Sequence, residues 1–367
     1  MTDVTTMAGR PAAHHAHGGG AHGSEKNGSK NNGSETNDSG TRHLVHCPPS
    51  WENYLLDAPS LGDEHFMLTG ELPVRHPLFN DGPGLFHDMQ TVTESVREIG
   101  EFVGHRYFGV PVDRTGLFHG FVLTLTDLAA WRVVPGRRPR LSTEIRATPA
   151  NVVNGVPRGL DFRLLARVDG TPCATGSAGL VFLMPKLYGN LRAHNQRAVR
   201  AAPELDDRPT GPVRAADPAE VGRASAANVV VARPDPDSRD RLSTWVLTRD
   251  VGPVFAAGEQ RRPDFAGGDR RPGDERLPGL HLLESLRQAS LLAAGRARGL
   301  TASRCVLASL EVRFRSEAEA ALPLRCLAAA EPVGRDAHGR PSVPVTVTLT
   351  QCRRTVAEAR TVVVQDF

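Results

Sequence analysis

A short charged pattern that occurs twice places the strongest constraint on how this chain folds. The segment TVTESVREIG at 91–100 and the segment LLESLRQASL at 282–291 share the core Glu-Ser-x-Arg, and the second copy lies 190 residues after the first. Five positions of a helix-sized window match at this offset: Glu94 with Glu284, Ser95 with Ser285, Arg97 with Arg287, Arg106 with Arg296, and Gly109 with Gly299. Self-similarity at one fixed offset indicates an internal repeat, so two copies of one structural unit are predicted.

The two halves also share one order of predicted elements, in which a single helix precedes a run of strands. Helices are predicted from about 89 to 107 and from 279 to 298, each followed by a glycine that can close it. Strand patterns follow at 117–128, 141–148, 160–170 and 173–183 in the first half, and at 306–316, 322–333, 342–352 and 354–365 in the second. This order favours an α+β fold, in which an antiparallel sheet wraps around a central helix, built twice in tandem as a pseudo-dimer.

Changes in composition set the predicted domain boundaries. Residues 1–42 are rich in His, Gly, Ser and Asn, and are predicted to be disordered because they have little apolar surface to bury. The first domain is predicted over 43–193 and the second over 224–367. Between them, residues 194–223 are rich in proline and charge and poor in aliphatic side chains, which is typical of a linker, or of a linker with a short helix.

The repeated pair has a composition that suits catalysis. Residues three apart on a helix lie on one face, so Glu94 with Arg97 and Glu284 with Arg287 each place an acid beside a cation. A glutamate at the mouth of an apolar tunnel can act as a base if burial raises its pKa. An arginine fork can bind a phosphate through two hydrogen bonds. The same spacing is also typical of an ion pair that locks two subunits together, and that alternative stays open.

The composition argues against several other classes of protein. The net charge is +3 and the arginines are scattered, so nucleic acid is not an expected partner. The five cysteines form no C-x-x-C pair, which favours reduced thiols over a disulfide framework or a zinc site. No apolar run reaches the roughly 18 residues of a membrane span, and no secretory signal pattern is visible. We therefore expect a cytoplasmic protein without a membrane partner, and the absence of nucleotide- and metal-binding motifs predicts no cofactor and no metal.

Two segments carry a resemblance to a known family. HPLFNDGPGLFHDMQTVTESVREIG at 76–100 resembles the first-half signature of the A-factor biosynthesis (AfsA-type) tandem hotdog family, in which a His-Asp loop precedes a Glu-x-x-Arg-Gln helix. PGLHLLESLRQAS at 278–290 resembles the Pro-Gly helix entry of the second half. Two departures are visible: Glu98 stands where the family usually has glutamine, and the loop FAGGDRRPGDERLPG at 265–279 lacks the family's histidines.

The resemblance implies an acyltransferase. Its members would move a β-ketoacyl group from a carrier-protein thioester to the hydroxyl of dihydroxyacetone phosphate, the first committed step toward γ-butyrolactone-type (A-factor-like) signals that control antibiotic production. The expected partners are therefore an acyl carrier protein and dihydroxyacetone phosphate. The residues in matching places are predicted to be catalytic (Glu94, Arg97, Glu284, Arg287 and His87) or to bind substrate (Arg97, Arg287 and His76).

Two alternatives of other classes stay open. A hotdog thioesterase or dehydratase would use the same glutamate, commonly with a histidine across the interface. A non-enzymatic regulator would bind a butyrolactone or DNA, although no helix-turn-helix pattern is present in the sequence.

Overall fold

The computed structural model describes residues 3–6, 41–46, 53–58, 64–72, 76–82, 84–200, 209, 211–234, 241–248, 251–252, 255 and 276–367. Within these ranges the chain forms one antiparallel sheet of 14 strands and three long helices. The helices are α1 (Gln90–Tyr107), α2 (Pro185–Arg200) and α3 (Gly279–Arg298). The strands of the first half are β1 (Asp3–Thr6), β2 (Thr41–His46), β3 (Asn53–Ala58), β4 (His65–Glu71), β5 (Thr115–Leu125), β6 (Arg140–Ala150), β7 (Gly159–Val168) and β8 (Thr171–Leu183). Those of the second half are β9 (Arg241–Val246), β10 (Cys305–Phe314), β11 (Leu324–Ala330), β12 (Gly334–Arg335), β13 (Pro341–Gln351) and β14 (Arg354–Gln365).

The strand order makes the internal repeat visible. The first half runs β4-β6-β7-β8-β5 and the second runs β10-β14-β13-β11-β9, which is the same order in reverse. The two runs meet where β5 pairs with β10, with Leu123 opposite Leu310 and Phe121 opposite Val312. Such reversal is what two identical units related by a pseudo-twofold axis produce. The prediction of two tandem α+β units is confirmed.

Helix α1 packs on the sheet of its own half through a regular apolar stripe. Val92, Val96, Ile99 and Val103 recur at helical spacing and are fully buried. In α3 nearly every residue from Leu280 to Ala294 is buried, so this helix is enclosed on all sides. Among the described residues, most buried apolar side chains of both halves join in one continuous core, and a smaller cluster also combines residues of both halves.

Both predicted closing glycines adopt the left-handed conformation that ends a helix. The φ angle of Gly299 is 75° and that of Gly109 is 64°. The amide of Gly299 donates to the carbonyl of Gly295 at 2.8 Å, and the amide of Val110 beyond Gly109 returns to Gly104 at 3.1 Å. These bonds satisfy carbonyls that a helix end would otherwise leave open.

The segment predicted as a linker, 194–223, contains the end of a helix and a 3₁₀ turn, and its bounds stay a prediction. Helix α2 begins at Pro185, inside the predicted first domain, and extends to Arg200. After the undescribed residues 201–208, a 3₁₀ turn at Pro218–Val221 leads into a stretch in which Val229, Val230, Val231 and Ala232 are buried. The described pairings of this stretch are isolated bridges, such as Ala215 with Ala232. Within 194–223, residues 211–215 are exposed, whereas Arg223 is buried and ion-paired.

The predicted disordered tail also contains ordered backbone. Asp3–Thr6 forms β1, which pairs antiparallel with β2. The Val-Thr-Thr run is β-branched, and such residues favour strands. The rest of the predicted tail up to residue 40 lies outside the described residues.

Candidate active site

The glutamate of the second copy lies at the centre of a buried charged cluster. Helix α3 carries Glu284 into the interior, where it is 0% exposed. Its Oε1 accepts a hydrogen bond from Nε of Arg223 and its Oε2 accepts one from Nη2 of the same side chain, both at 2.8 Å. Oε1 also accepts from Nε2 of Gln288 at 2.6 Å and from Nη1 of Arg287 at 3.2 Å. Both carboxylate oxygens therefore have charged donors.

Arg223 comes from the segment between the two halves and crosses the junction between them. Its side chain is 1% exposed, and its Nη1 donates to Oδ2 of Asp88 at 2.7 Å and to the carbonyl of Leu78 at 2.8 Å. Burial by itself would lower the pKa of this guanidinium, but the carboxylates of Asp88 and Glu284 outweigh burial and raise the pKa above its usual value. Arg223 is thus a permanent cation that joins the first half to the second.

Asp88 is the first-half member of the cluster. Burial tends to raise the pKa of its carboxyl group, but the guanidinium groups of Arg223 and Arg287 and the amide of Asn80 hold that pKa at about 2. The amide of Asn80 donates to Oδ2 of Asp88 at 2.9 Å, and the amide of Asp88 donates back to the Asn80 side chain at 2.9 Å. Met89, not Asp88, is the residue at the N-cap of α1, so the Asp88 side chain binds the arginines instead of capping the helix.

Arg287 is held by longer contacts than Arg223. Its Nε lies 3.4 Å from Oδ1 of Asp88, and its Nη1 donates to the carbonyl of Val221 at 3.2 Å. Its Nη2 donates to the carbonyl of Gly222 at 3.4 Å. Hydrogen bonds between charged groups are usually about 2.7–2.9 Å long, so Arg287 is near several acceptors without a short bond to any of them.

A cavity of about 180 Å³ opens beside this cluster at the junction of the two halves. Its polar lining includes His87, Asp88, Arg223 and Arg287, together with Asn80, Asp81 and Arg137. Its apolar side includes Met89, Leu291, Val306 and Leu307, which come from both halves. A concave site with one apolar wall and a few converging polar groups is typical of a substrate pocket.

His87 lines the cavity and carries an imidazole that can accept a proton. The side chain is 5% exposed, and in the described part of the chain neither ring nitrogen has a hydrogen-bond partner. The ring meets the indole of Trp131 edge-on, while the Trp131 Nε1 donates to the carbonyl of His87. Burial lowers the pKa of this imidazole, although the charge of Asp88 opposes the shift. His87 is therefore neutral at pH 7 and able to accept a proton.

The first copy of the repeated pair has a different arrangement. Glu94 is 2% exposed, and its two oxygens accept from Nε and Nη2 of Arg97 at 2.7 and 2.5 Å. The Arg97 side chain reaches toward Gly279, the first residue of α3. Neither residue is among the described residues that line the cavity. The second-copy pair lies at the cavity and the first-copy pair is a compact ion pair within one helix.

His76 is engaged by its own loop. Its Nδ1 accepts the amides of Leu78 and Phe79 at 3.0 and 2.9 Å, and the ring stacks on Phe79. Burial lowers the pKa of His76 to about 4, while Asp88 raises it and Arg223 lowers it further. The neutral ring therefore shapes the 76–88 loop that delivers His87 and Asp88 to the cavity.

The residues around Arg223 do not indicate that it belongs to a site. It is one of many arginines, it lies outside the repeat, and it was assigned to the linker. Only the local signal of Asp217 before a proline, a short turn and Gly222 marks an ordered turn there. Glu284, Arg287, His87 and Asp88 do come together as a cluster, whereas Glu94, Arg97 and His76 take other positions.

Other reactive groups in the described residues add little. No group of three or more His, Cys, Asp or Glu side chains there is placed to hold a metal ion. Cys305 lines the cavity, but burial raises the pKa of its thiol to about 12, so it is protonated at neutral pH. Within the same residues no helix is long and apolar enough to cross a membrane.

Comparison with known proteins gives a consistent family assignment. The family model described as the A-factor biosynthesis hotdog domain matches residues 32–184 and 205–364. The chain is 29% identical over 236 residues to a 2-oxo-3-(phosphooxy)propyl 3-oxoalkanoate synthase of Streptomyces coelicolor, a match that covers 64% of this chain and 66% of that protein, just under two thirds of its length. It is 26% identical over 319 residues to the protein of the same name from Streptomyces virginiae, covering 83% of this chain and 91% of that protein.

Among solved structures, the chain is similar to a 12:0-ACP thioesterase from Umbellularia californica, with 10% identity and a TM-score of 0.42. That match covers 82% of this chain and 94% of the thioesterase.

Proposed function

The chain belongs to the A-factor biosynthesis hotdog domain family, and from this premise we propose that it is an acyltransferase that joins a 3-oxoacyl group to dihydroxyacetone phosphate. The name of its relatives, 2-oxo-3-(phosphooxy)propyl 3-oxoalkanoate synthase, describes an ester of that kind. The proposed donor is a 3-oxoacyl thioester of an acyl carrier protein, the proposed location is the cytoplasm, and the product would be a precursor of a γ-butyrolactone-type signal.

The observation that carries this proposal is that His87 and Arg287 both line the cavity. The acceptor needs a base for its hydroxyl group and a cation for its phosphate. His87 offers a neutral imidazole whose two nitrogens are buried and have no hydrogen-bond partner within the described residues, and Arg287 offers a guanidinium without a short bond. Holding both ends of the acceptor would place its oxygen beside the base, and such orientation contributes substantially to catalysis.

The reaction needs no covalent enzyme intermediate. His87 takes the proton of the acceptor hydroxyl, and the oxygen attacks the thioester carbonyl carbon. The carbon–oxygen bond forms, the carbon–sulfur bond breaks, and the departing thiolate takes the proton from the imidazolium. The apolar wall of Met89, Leu291, Val306 and Leu307 would hold the acyl chain.

The base in the proposed mechanism is His87, whereas the sequence pattern favoured Glu94 and Glu284. Glu284 accepts four hydrogen bonds, and a proton-accepting role would compete with Arg223. Glu94 is occupied on both oxygens by Arg97. In the proposed mechanism Glu284 keeps the cluster in place, and Glu94 stabilises the first helix.

Mass spectrometry of the products tests the proposal directly. The full chain would be mixed with 3-oxoacyl thioesters of several chain lengths and dihydroxyacetone phosphate. We expect a phosphorylated ester from the wild type, and a loss of about 10²–10⁴-fold in kcat for His87→Ala, the usual contribution of a general base. His338→Ala, at an exposed turn, is the matched control and should retain activity.

The other outcomes separate the alternatives. Release of free 3-oxo acid without ester would indicate a thioesterase. Absence of any turnover with every thioester, while a relative from Streptomyces is active in the same assay, would contradict the proposal and favour a binding protein. Full activity of His87→Ala would contradict the assignment of the base.

A further inference from the structure

The cluster at the junction contains two acids and two cations, yet the two cations are held very differently. Arg223 makes short bonds of 2.7–2.8 Å to both Asp88 and Glu284. Arg287 lies 3.2 Å from Glu284 and 3.4 Å from Asp88. Arg223 therefore binds both carboxylates through short hydrogen bonds, and Arg287 makes longer contacts with them.

The first copy shows what happens at the same helix spacing without such an arrangement. Arg97 follows Glu94 by three residues, as Arg287 follows Glu284, and Arg97 closes onto its glutamate through bonds of 2.7 and 2.5 Å. A guanidinium bound bidentately in this way has fewer donors left for a ligand. Two donors distinguish the second copy. Arg223 donates to both oxygens of Glu284, and Gln288, where the first copy has Glu98, donates to Oε1 at 2.6 Å, so Arg287 keeps only a longer contact of 3.2 Å with Glu284.

We infer that Arg223 is a positioning residue that neutralises Glu284 and Asp88 and so leaves the Arg287 guanidinium to bind a phosphate-bearing acceptor. The inference rests on the proposed function for the identity of the acceptor. It deepens that function by making the acceptor site depend on three segments: the loop of the first half, the linker turn and helix α3. No single half contains all of them.

The linker turn is built to deliver this side chain. Asp217 caps the 3₁₀ turn by accepting from the amide of Ala219, and the amide of Arg223 donates to the carbonyl of Pro218 at 2.9 Å. Gly222 has a φ of 66°, a left-handed conformation that favours glycine, and its carbonyl faces Nη2 of Arg287. One short turn therefore places Arg223 and also limits where Arg287 can lie.

Three variants test the inference. In Arg223→Gln we expect Arg287 to close onto Glu284, so the KM for dihydroxyacetone phosphate rises about tenfold or more, as for loss of a charge-assisted bond. The KM for the thioester should stay within about twofold. In the double variant Arg223→Gln and Glu284→Gln, Arg287 has no glutamate carboxylate to bind. The KM for dihydroxyacetone phosphate should therefore return at least halfway, on a logarithmic scale, to the wild-type value. Arg223→Lys keeps the charge but loses the fork, and should lie between wild type and Arg223→Gln.

Inorganic phosphate supplies a readout independent of turnover. We expect the wild type to bind it by calorimetry, Arg223→Gln to bind it about tenfold more weakly, and the double variant to recover. Circular dichroism establishes that each variant is folded, and the double variant covers the case in which Arg223→Gln alone does not fold. Equal phosphate binding by folded wild type and Arg223→Gln, or no binding by the wild type, would overturn the inference. Phosphate binding by the wild type without any ester product would instead count against the proposed function while leaving the positioning role supported.

Discussion

The two helices that begin the halves carry the same charged motif in two different chemical states. In α1 the glutamate and arginine bind each other, and neither is among the described residues that line the cavity. In α3 the glutamate is bound mainly by Arg223, and Arg287 lines the cavity. The repeat thus reproduces a fold and a pair of residues, but a residue outside the repeat decides what the pair can do.

The difference also shows how a tandem protein can specialise. Two identical subunits would have two equivalent sites, one at each helix. Here the loop that carries Asp88 and His87 lies in the first half, and the turn that carries Arg223 lies between the halves. One junction thereby gains a complete set of polar groups, and the other retains an ion pair. Variants of matching residues in the two halves can therefore be compared, with one half serving as the reference for the other.

Removing the charge of each glutamate should give the largest contrast in stability. Glu284→Gln leaves Arg223, which is 1% exposed, with Asp88 as its remaining carboxylate. Breaking one partner of a buried ion pair typically costs about 3–5 kcal/mol. Glu94→Gln leaves Arg97, whose side chain is 25% exposed, so water can compensate and a cost of about 1 kcal/mol is expected. Urea denaturation of both variants measures the two costs. Equal costs would show that the clusters are energetically alike.

Acid should destabilise the protein through a buried histidine in each half. His76 and His281 each have a pKa lowered to about 4, chiefly because burial disfavours their charged forms; Asp88 and Glu284, respectively, oppose the shift. The unfolded chain protonates them near pH 6.5, so between pH 6.5 and 4 it binds more protons than the folded chain. Their contribution to stability is fully present above pH 6.5 and is lost as the pH falls toward 4, by about 1.4 kcal/mol per pH unit for each histidine.

Single substitutions divide this pH dependence between the halves. Chemical denaturation of the wild type from pH 7 to pH 4 gives the total slope. His76→Gln and His281→Gln should each remove about half of the part due to this pair. An unchanged slope in one variant would show that the histidine of that half stays neutral in both folded and unfolded chains.

Replacing each motif arginine by lysine should separate the two pairs in function. Arg287→Lys keeps a charge beside the cavity but loses the planar fork, so the KM for dihydroxyacetone phosphate is expected to rise about tenfold. Arg97→Lys alters a pair outside the described cavity lining and should change that KM by less than about twofold. Initial rates at varied acceptor concentration measure both. A larger effect at Arg97 would move the acceptor site to the first copy.

The fold could be predicted from the sequence, but only part of the candidate site could. The repeat, the two helix ends at Gly109 and Gly299 and the order of elements along the chain came from local patterns, which period and turn chemistry specify. The cluster depends on contacts between residues far apart, as when Arg223 joins Asp88 and Glu284. No local pattern encodes such a bond, and nothing in the composition of the predicted linker indicates that Arg223 is buried. The predicted roles of Glu94 and Glu284 followed from their spacing and from the family resemblance, and neither reveals which cation each glutamate meets.

The smallest effect concerns how closely each helix approaches its sheet. Gly104 of α1 corresponds to Ala294 of α3 at the 190-residue offset, and both are buried. A Cβ at Gly104 would lie 2.2 Å from Cζ of Phe182 and within 3.0 Å of both Cε atoms, so the whole ring would have to move. Overpacking of this kind typically costs about 1–3 kcal/mol, whereas alanine in a helix gains about 1 kcal/mol over glycine. We therefore expect Gly104→Ala to destabilise the protein by about 1 kcal/mol.

A second substitution tests whether the ring is the cause. Phe182→Leu makes room beside Gly104, so Gly104→Ala should cost less in that background, and a double-mutant cycle by urea denaturation measures the coupling. Ala294→Gly in α3 is the matched reference and should cost about 1 kcal/mol through helix propensity. If Gly104→Ala instead stabilised the wild-type protein, helix propensity alone would determine the effect of the substitution in both helices. The contact between Gly104 and the Phe182 ring would then not limit the residue at position 104. A positive coupling with Phe182 would mean that the two copies diverged in packing as well as in charge, with the aromatic ring of the first half requiring glycine where the second half accommodates alanine.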